Sequence, residues 1–451
     1  MDIVIKNGTV INAGSMFRAD VGIRNGKIVA LAEDLSGQEN IDASGKYILP
    51  GLIESHAYLE SPFGSTRSVD NFFRGTQAAA SGGITTLIDR VVPMPDEDLQ
   101  EAIRNRRDLA EPQVAIDYSL HICINRLDEQ VLEQIPQLVD QGYPSFEAAM
   151  YDLDARQALS DSALIQLMKT LQSSNSLLLL HCGNQALLTH LRRQYPLNSD
   201  QEAIPHYAEV WPAEAESMGV LKALSLARHF ETPLFLHNLS TAEAVQTLSQ
   251  YHHLASRVHA SCSLHHLTHT AAVYAEKEGR NYTCMPPLRS ERDRQFLLNH
   301  LGTGPIQVVS SSHRSFTQAQ KKLGSDMPSI PAGFANLGAL LPVMHQQGVG
   351  HKHLNLMQLV GLLSAAPAQI FGLSSKGSVA IGKDADLVIF DPKERLNLSS
   401  AQMHTESDIS LYDQEDVQGS VEMTLSRGKI VFESGRFVGE QGAGQFVARR
   451  L

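Results

Sequence analysis

One tryptophan and four cysteines among 451 residues leave little for two kinds of function. A surface that stacks single-stranded bases needs several aromatic side chains, and aromatics make up only 6% of this chain. Cys123, Cys182, Cys262 and Cys284 are too scattered for a zinc ribbon. In so long a chain they read as reduced thiols of a cytoplasmic protein rather than a disulfide framework. Basic charge is also short, with 37 Lys and Arg against 49 Asp and Glu, a formal net charge of −12, and no basic run offsets it. A nucleic-acid partner therefore has no electrostatic support. No stretch approaches the 18 uninterrupted apolar residues that a membrane span needs, so no membrane association is expected. Met1–Gly8 lacks the apolar core of a signal peptide and reads as a strand and turn.

What is present is the balance of a soluble globular enzyme, with 43% hydrophobic and 19% charged residues. The length allows one (β/α)8 barrel, which takes about 250 residues, and a smaller second module. Residues 1–50 are short alternating segments punctuated by Asn7-Gly8, Asn25-Gly26 and Ser44-Gly45. The same texture returns in Ala385–Phe390 and Arg427–Phe432. The economical reading is one composite β-domain from residues 1–50 and 375–451. Between them, residues 51–374 alternate strand-like runs with helical patterns, as a barrel requires. The predicted strands are Tyr47–Ser55, Ile84–Val92, Ile116–Ile122, Tyr143–Met150, Ser176–His181, Pro233–His237, Arg257–Cys262 and Ile306–Ser312. Helical spacing is clear in Asp161–Ser173, Glu214–Phe230 and Gln295–Leu301. Ser399–Gln418 reads as a polar loop, mobile or wrapped over the surface. His252-His253 and the His351, His353 pair read as surface or loop histidines, without a carboxylate at ligand spacing. Histidines and carboxylates at the C-terminal ends of several strands mark the barrel face where chemistry occurs.

Several motifs resemble one family. Pro50-Gly51-Leu52-Ile53-Glu54-Ser55-His56-Ala57-Tyr58 is similar to the first-strand segment of the cyclic amidohydrolases, Pro-Gly-x-Ile-Asp-x-His-x-His. Asp70–Thr76, Gly82–Thr86, Ser145-Phe146, Pro286–Arg289 and Gly382–Leu387 resemble stretches of the dihydropyrimidinases and hydantoinases. The matches run nearly end to end. The resemblance implies an amidohydrolase-type (β/α)8 barrel with a composite β-domain, a homo-oligomer, and hydrolysis of cyclic amides at one or two metals.

Carried over residue by residue, the resemblance implies an altered site. The family uses two histidines on strand one, a carboxylated lysine on strand four, histidines on strands five and six, and an aspartate on strand eight. Here His56 is kept, but Tyr58 stands at the second histidine position and Glu147 at the lysine position. His181 and His237 are kept, and Ser312 stands at the aspartate position. Glu147, His181 and His237 form a carboxylate-plus-two-histidine set suited to one zinc ion with a place for water. His56, His313 and Ser312 are the expected catalytic side chains, with Glu54 close by, and Tyr151 and Asn336 are the expected substrate contacts. Met285 stands where the family has a serine. Ser263–Leu267 is similar to a Thr-Pro-His-His-Leu pattern of dihydroorotases, with His265 and His266 read as packing residues.

Two functions follow as expectations. One is a metal-dependent hydrolase that cleaves a C–N bond of a cyclic amide or related small molecule through a remodelled single-zinc site. The alternative is a noncatalytic relative that serves as a scaffold or oligomeric partner.

Overall fold

The computed structural model describes residues 1–152, 157–195, 203–251, 257–324, 327–413 and 415–451. His252 and His253 lie outside the described residues. Eight parallel strands follow one another around a barrel: β1 (Leu52–Glu54), β2 (Ile84–Val91), β3 (Asp117–Cys123), β4 (Ser145–Ala149), β5 (Leu177–His181), β6 (Leu234–Leu236), β7 (Val258–Ser263) and β8 (Val308–Ser310). Each pairs with its sequence neighbour in parallel register from β1 to β8. The seam between β1 and β8 is closed by a side chain. Buried Glu54 accepts from Ser310 Oγ (2.6 Å) and from the backbone N–H of Ser311 (2.7 Å).

The eight predicted strands are all present, which confirms the amidohydrolase-type barrel. The run Tyr47–Ser55 is divided, however. Tyr47–Pro50 pairs in the β-domain with Leu387–Phe390, and only Leu52–Glu54 enters the barrel. Gly51 sits at the crossing, where a Cβ would fall 2.1 Å from Thr85 Oγ1. A larger residue has no room there. The helix expected over Gln295–Leu301 runs instead from Glu291 to Asn299, with a capping box between Ser290 and Asp293. Its charged first turn hides the apolar period, so only the cap signals its start.

Two sheets from both chain ends form the second layer of structure. Lys27–Ala32, Asp20–Arg24, Ile3–Lys6 and Glu39–Asp42 make one. The other runs in the order Arg436–Phe437, Lys429–Glu433, Asp416–Ser426, Leu387–Asn397, Tyr47–Pro50, Thr9–Asn12, Ser15–Arg18. Ile5, Val10, Ile23, Ile48, Leu387 and Leu425 pack between them. The final residues leave this domain and run along the barrel, where Tyr118 N–H donates to Gln445 O and Val447 N–H donates to Tyr118 O. The polar stretch from Ser399 is fixed over the barrel mouth: Thr405 Oγ1 and Glu406 N–H both donate to Asp70, and Tyr412 is fully buried. Among the described residues no helix is long and apolar enough to cross a membrane.

Candidate metal centre at the barrel mouth

Strand alternation explains which side chains meet at the mouth. Successive residues of a strand face opposite sides. Leu178 and Leu180 of β5 belong to the core under the helices, whereas Leu177 and Leu179 pack inside the barrel against Phe235, Ile53, Ile88 and Phe371. The same parity carries His181 inward at the end of β5. On β6, Phe235 points inward and so does His237 just beyond the strand. On β2, Ile88 points inward and Arg90 follows it. On β4, Phe146 and Ala148 face outward, which turns Glu147 inward. The barrel floor is apolar and its mouth is a layer of ionisable groups.

These groups touch. The ring centroids of His56 and His237 are 3.5 Å apart, those of His181 and His237 4.9 Å, and those of His56 and His181 5.7 Å. One nitrogen from each of the three lies within 4.8 Å of the others. Glu147 Oε1 is 3.2 Å from His181 Nε2, and its Oε2 is 4.0 Å from His56 Nδ1. His56 Nε2 is hydrogen-bonded to the Tyr58 hydroxyl, and His237 Nδ1 lies 3.4 Å from Ser261 Oγ. Burial pushes His56 and His237 well below the usual imidazole range, and the neighbouring histidines push them further. Both rings are therefore neutral at neutral pH, the form that binds a metal.

The other expected site residues are placed as follows. Ser312 is at the mouth, donating to Asn238 Oδ1 (2.9 Å) and bonded to Ser263 Oγ (2.9 Å). His313 turns away to an ion pair with Asp70 (3.0 Å), so it is not brought to the three histidines. The strand has ended at Ser310 and Ser312 takes a left-handed backbone, φ 47°, so the chain turns between the two side chains. Tyr151 is buried edge-on against Trp211, with ring centroids 4.6 Å apart, in an apolar cluster that also includes Ala149 and Leu188. Met285 packs on this cluster and on Phe63 and Phe316, at the junction of two apolar groups. Asn336 is buried and donates to Ser311 O (3.2 Å) and His265 Nδ1 (3.3 Å). Glu54, close to the expected catalytic side chains in the sequence, is occupied by the β1–β8 seam and the His56 N–H (2.7 Å). His266 Nε2 faces the carbonyls of Pro286 and Pro287, and Cys284 Sγ donates to Pro286 O.

Sequence reasoning missed Arg90. Its guanidinium is 2% exposed, lies 3.1 Å from Glu147 Oε1, and stacks 4.0 Å from the Tyr58 ring centroid. A signal was available. Asp89-Arg90 puts two charges into an otherwise uncharged parallel strand, where both faces are covered and a charge must be paired. Asp89 is paired from outside the barrel by Arg106 Nε at 2.8 Å. Asn238 and Ser263, partners of Ser312, were also missed, because short polar residues carry no pattern of their own.

The donor set is of a kind that can hold a metal. Among the described residues, His56 Nδ1 and His237 Nε2 are buried with no hydrogen-bond partner, and a buried nitrogen without a partner is costly unless something fills its place. Three clustered histidines, His56 and His237 of them neutral, beside a carboxylate make a donor set of the kind that binds a divalent metal.

Comparison with known proteins bears on the same region. Residues 47–431 match the amidohydrolase family. The chain is 32% identical to the D-hydantoinase of Ralstonia pickettii, over 100% of this chain and 99% of that one. It is 33% identical to the D-hydantoinase of Geobacillus stearothermophilus, over 100% of this chain and 97% of that one. The crystal structure of a dihydropyrimidinase from Brevibacillus agri superposes with a TM-score of 0.96 at 31% identity, covering 100% of this chain and 99% of that one.

Proposed function

The chain belongs to the dihydropyrimidinase and hydantoinase branch of the amidohydrolase family, and from that premise we propose a metal-dependent hydrolase that opens the ring of a small cyclic amide. The observation that carries this reading is the set of three buried histidines, each offering a nitrogen within 4.8 Å of the other two. His56, His181 and His237 would hold a single divalent ion, zinc being the natural choice for this donor set. Such an ion supplies Lewis acidity, polarising an amide carbonyl and lowering the pKa of water.

The remaining work falls to the chain. Glu147 is the carboxylate in contact with the histidines, and it is the group in position to accept a proton at its Oε2. Ser312 and Asn238 present hydroxyl and amide groups that can pair with a ring N–H or carbonyl. Tyr58 fixes the His56 ring through its hydroxyl. Tyr151, Trp211 and Met285 give an apolar wall for a ring substituent.

The test is ring opening of hydantoin, dihydrouracil and their ring-substituted analogues by the full chain loaded with zinc. Hydrolysis should vanish on chelation, return with zinc, and be lost in His181→Asn. Folded, zinc-loaded protein inert toward the whole panel would reject the hydrolase and leave a noncatalytic relative.

A further inference from the structure

The Arg90 guanidinium is in contact with the carboxylate of the histidine layer, and its setting is unusual for a site meant to hold a cation. Glu147 Oε1 is shared between Arg90 Nη1 at 3.1 Å and His181 Nε2 at 3.2 Å. All three side chains are at most 3% exposed. The guanidinium is held from a second side by Tyr58, over whose ring it lies at 4.0 Å, and the Tyr58 hydroxyl is bonded to His56. Arg90 is thus bonded to one neighbour of the histidine set and stacked on another. A guanidinium stays charged at any ordinary pH and cannot yield its place by losing a proton. Charges so close in a dry interior interact strongly.

We propose that Arg90 is the resident cation of this site: it claims the Glu147 carboxylate, so that a metal ion is held by the three histidines alone and a second ion is excluded. This rests on the single-metal reading above. It makes Arg90 a positioning residue that sets metal affinity and count. With Arg90 in place, Glu147 spends its negative charge on the guanidinium, and an incoming divalent ion meets a fixed positive charge nearby. With Arg90 replaced by an uncharged residue, the carboxylate is released toward His56 and His181 and becomes a fourth ligand.

The experiment is calorimetric zinc titration of chelator-stripped full-length protein, as wild type, Arg90→Gln, and the double variant Arg90→Gln/Glu147→Gln. Arg90→Gln should bind zinc at least ~10-fold more tightly than wild type, the gain a carboxylate ligand brings when its competitor goes. The double variant should lose that gain, because the carboxylate itself is gone. Equal or weaker binding by folded Arg90→Gln overturns the proposal, as does a gain that survives in the double variant. Should Arg90→Gln not fold, the crystal structure of zinc-loaded wild type decides. Zinc on the histidines with Glu147 still paired to Arg90 supports it, and zinc on Glu147 with Arg90 displaced overturns it. Zinc binding by Arg90→Gln but not by wild type would uphold Arg90 as an excluding cation while rejecting the single-metal reading. Binding by neither would reject both.

Discussion

Glu54 and Glu147 are both fully buried carboxylates at the barrel mouth, and their neighbours give them different work. Glu54 accepts from two backbone N–H groups and one hydroxyl, which is a structural use. Glu147 faces a guanidinium and two imidazoles, which is a chemical one. The histidines also leave a mark on stability. Burial, more than any neighbouring charge, lowers His56, His237 and His121, the last to about 3. Unfolded histidines titrate near 6.5. Below that pH the unfolded chain takes up protons that the native rings refuse, so metal-free protein should be stable above it and weaken as pH falls toward the native values. Each such histidine contributes a slope of up to about 1.4 kcal/mol per pH unit. Urea midpoints should therefore fall between pH 7 and pH 5, with a shallower fall, by about one proton, in His121→Asn. An unchanged slope in that variant would show that the ring is protonated in the native barrel.

At the level of elements, the barrel was legible because strand-like runs alternate with helical patterns, and some end at a histidine, as in Leu177–His181. Boundaries were less legible. Tyr47–Ser55 looks like one strand, and only the contact of Gly51 with Thr85 shows why the chain must change sheets. His181, His237 and Glu147 were legible through the family resemblance, and strand parity is the physical reason they face inward together. Arg90 could not be assigned a partner from sequence, because Glu147 is 57 residues away. From the sequence, the C-terminal segment reads only as part of the β-domain in residues 375–451. In the structure it carries Arg449, with 0% exposure, into the barrel wall, donating to Ser119 Oγ (2.7 Å) and Ser145 Oγ (2.7 Å). Ser145 Oγ in turn meets His121 Nδ1 at 2.7 Å. Arg449→Ala removes these donors and opens a cavity, and should cost about 3 kcal/mol or more in urea unfolding. A loss below about 0.5 kcal/mol, typical of surface changes, would mean that the tail is not part of the folded barrel.

For the whole molecule, two β-sheets from both chain ends and a barrel between them present a single mouth lined by His56, His181 and His237. Family membership supplies the expectation of amide hydrolysis, and the donor set supplies the means. The two stand together only if the histidines take up an ion. The direct measurement is metal content per chain in full-length protein purified without chelator and dialysed against zinc, with His237→Asn as control. The account predicts about one equivalent in wild type and none in folded His237→Asn. Zinc retained by the variant, two equivalents in wild type, or none in either protein would contradict it.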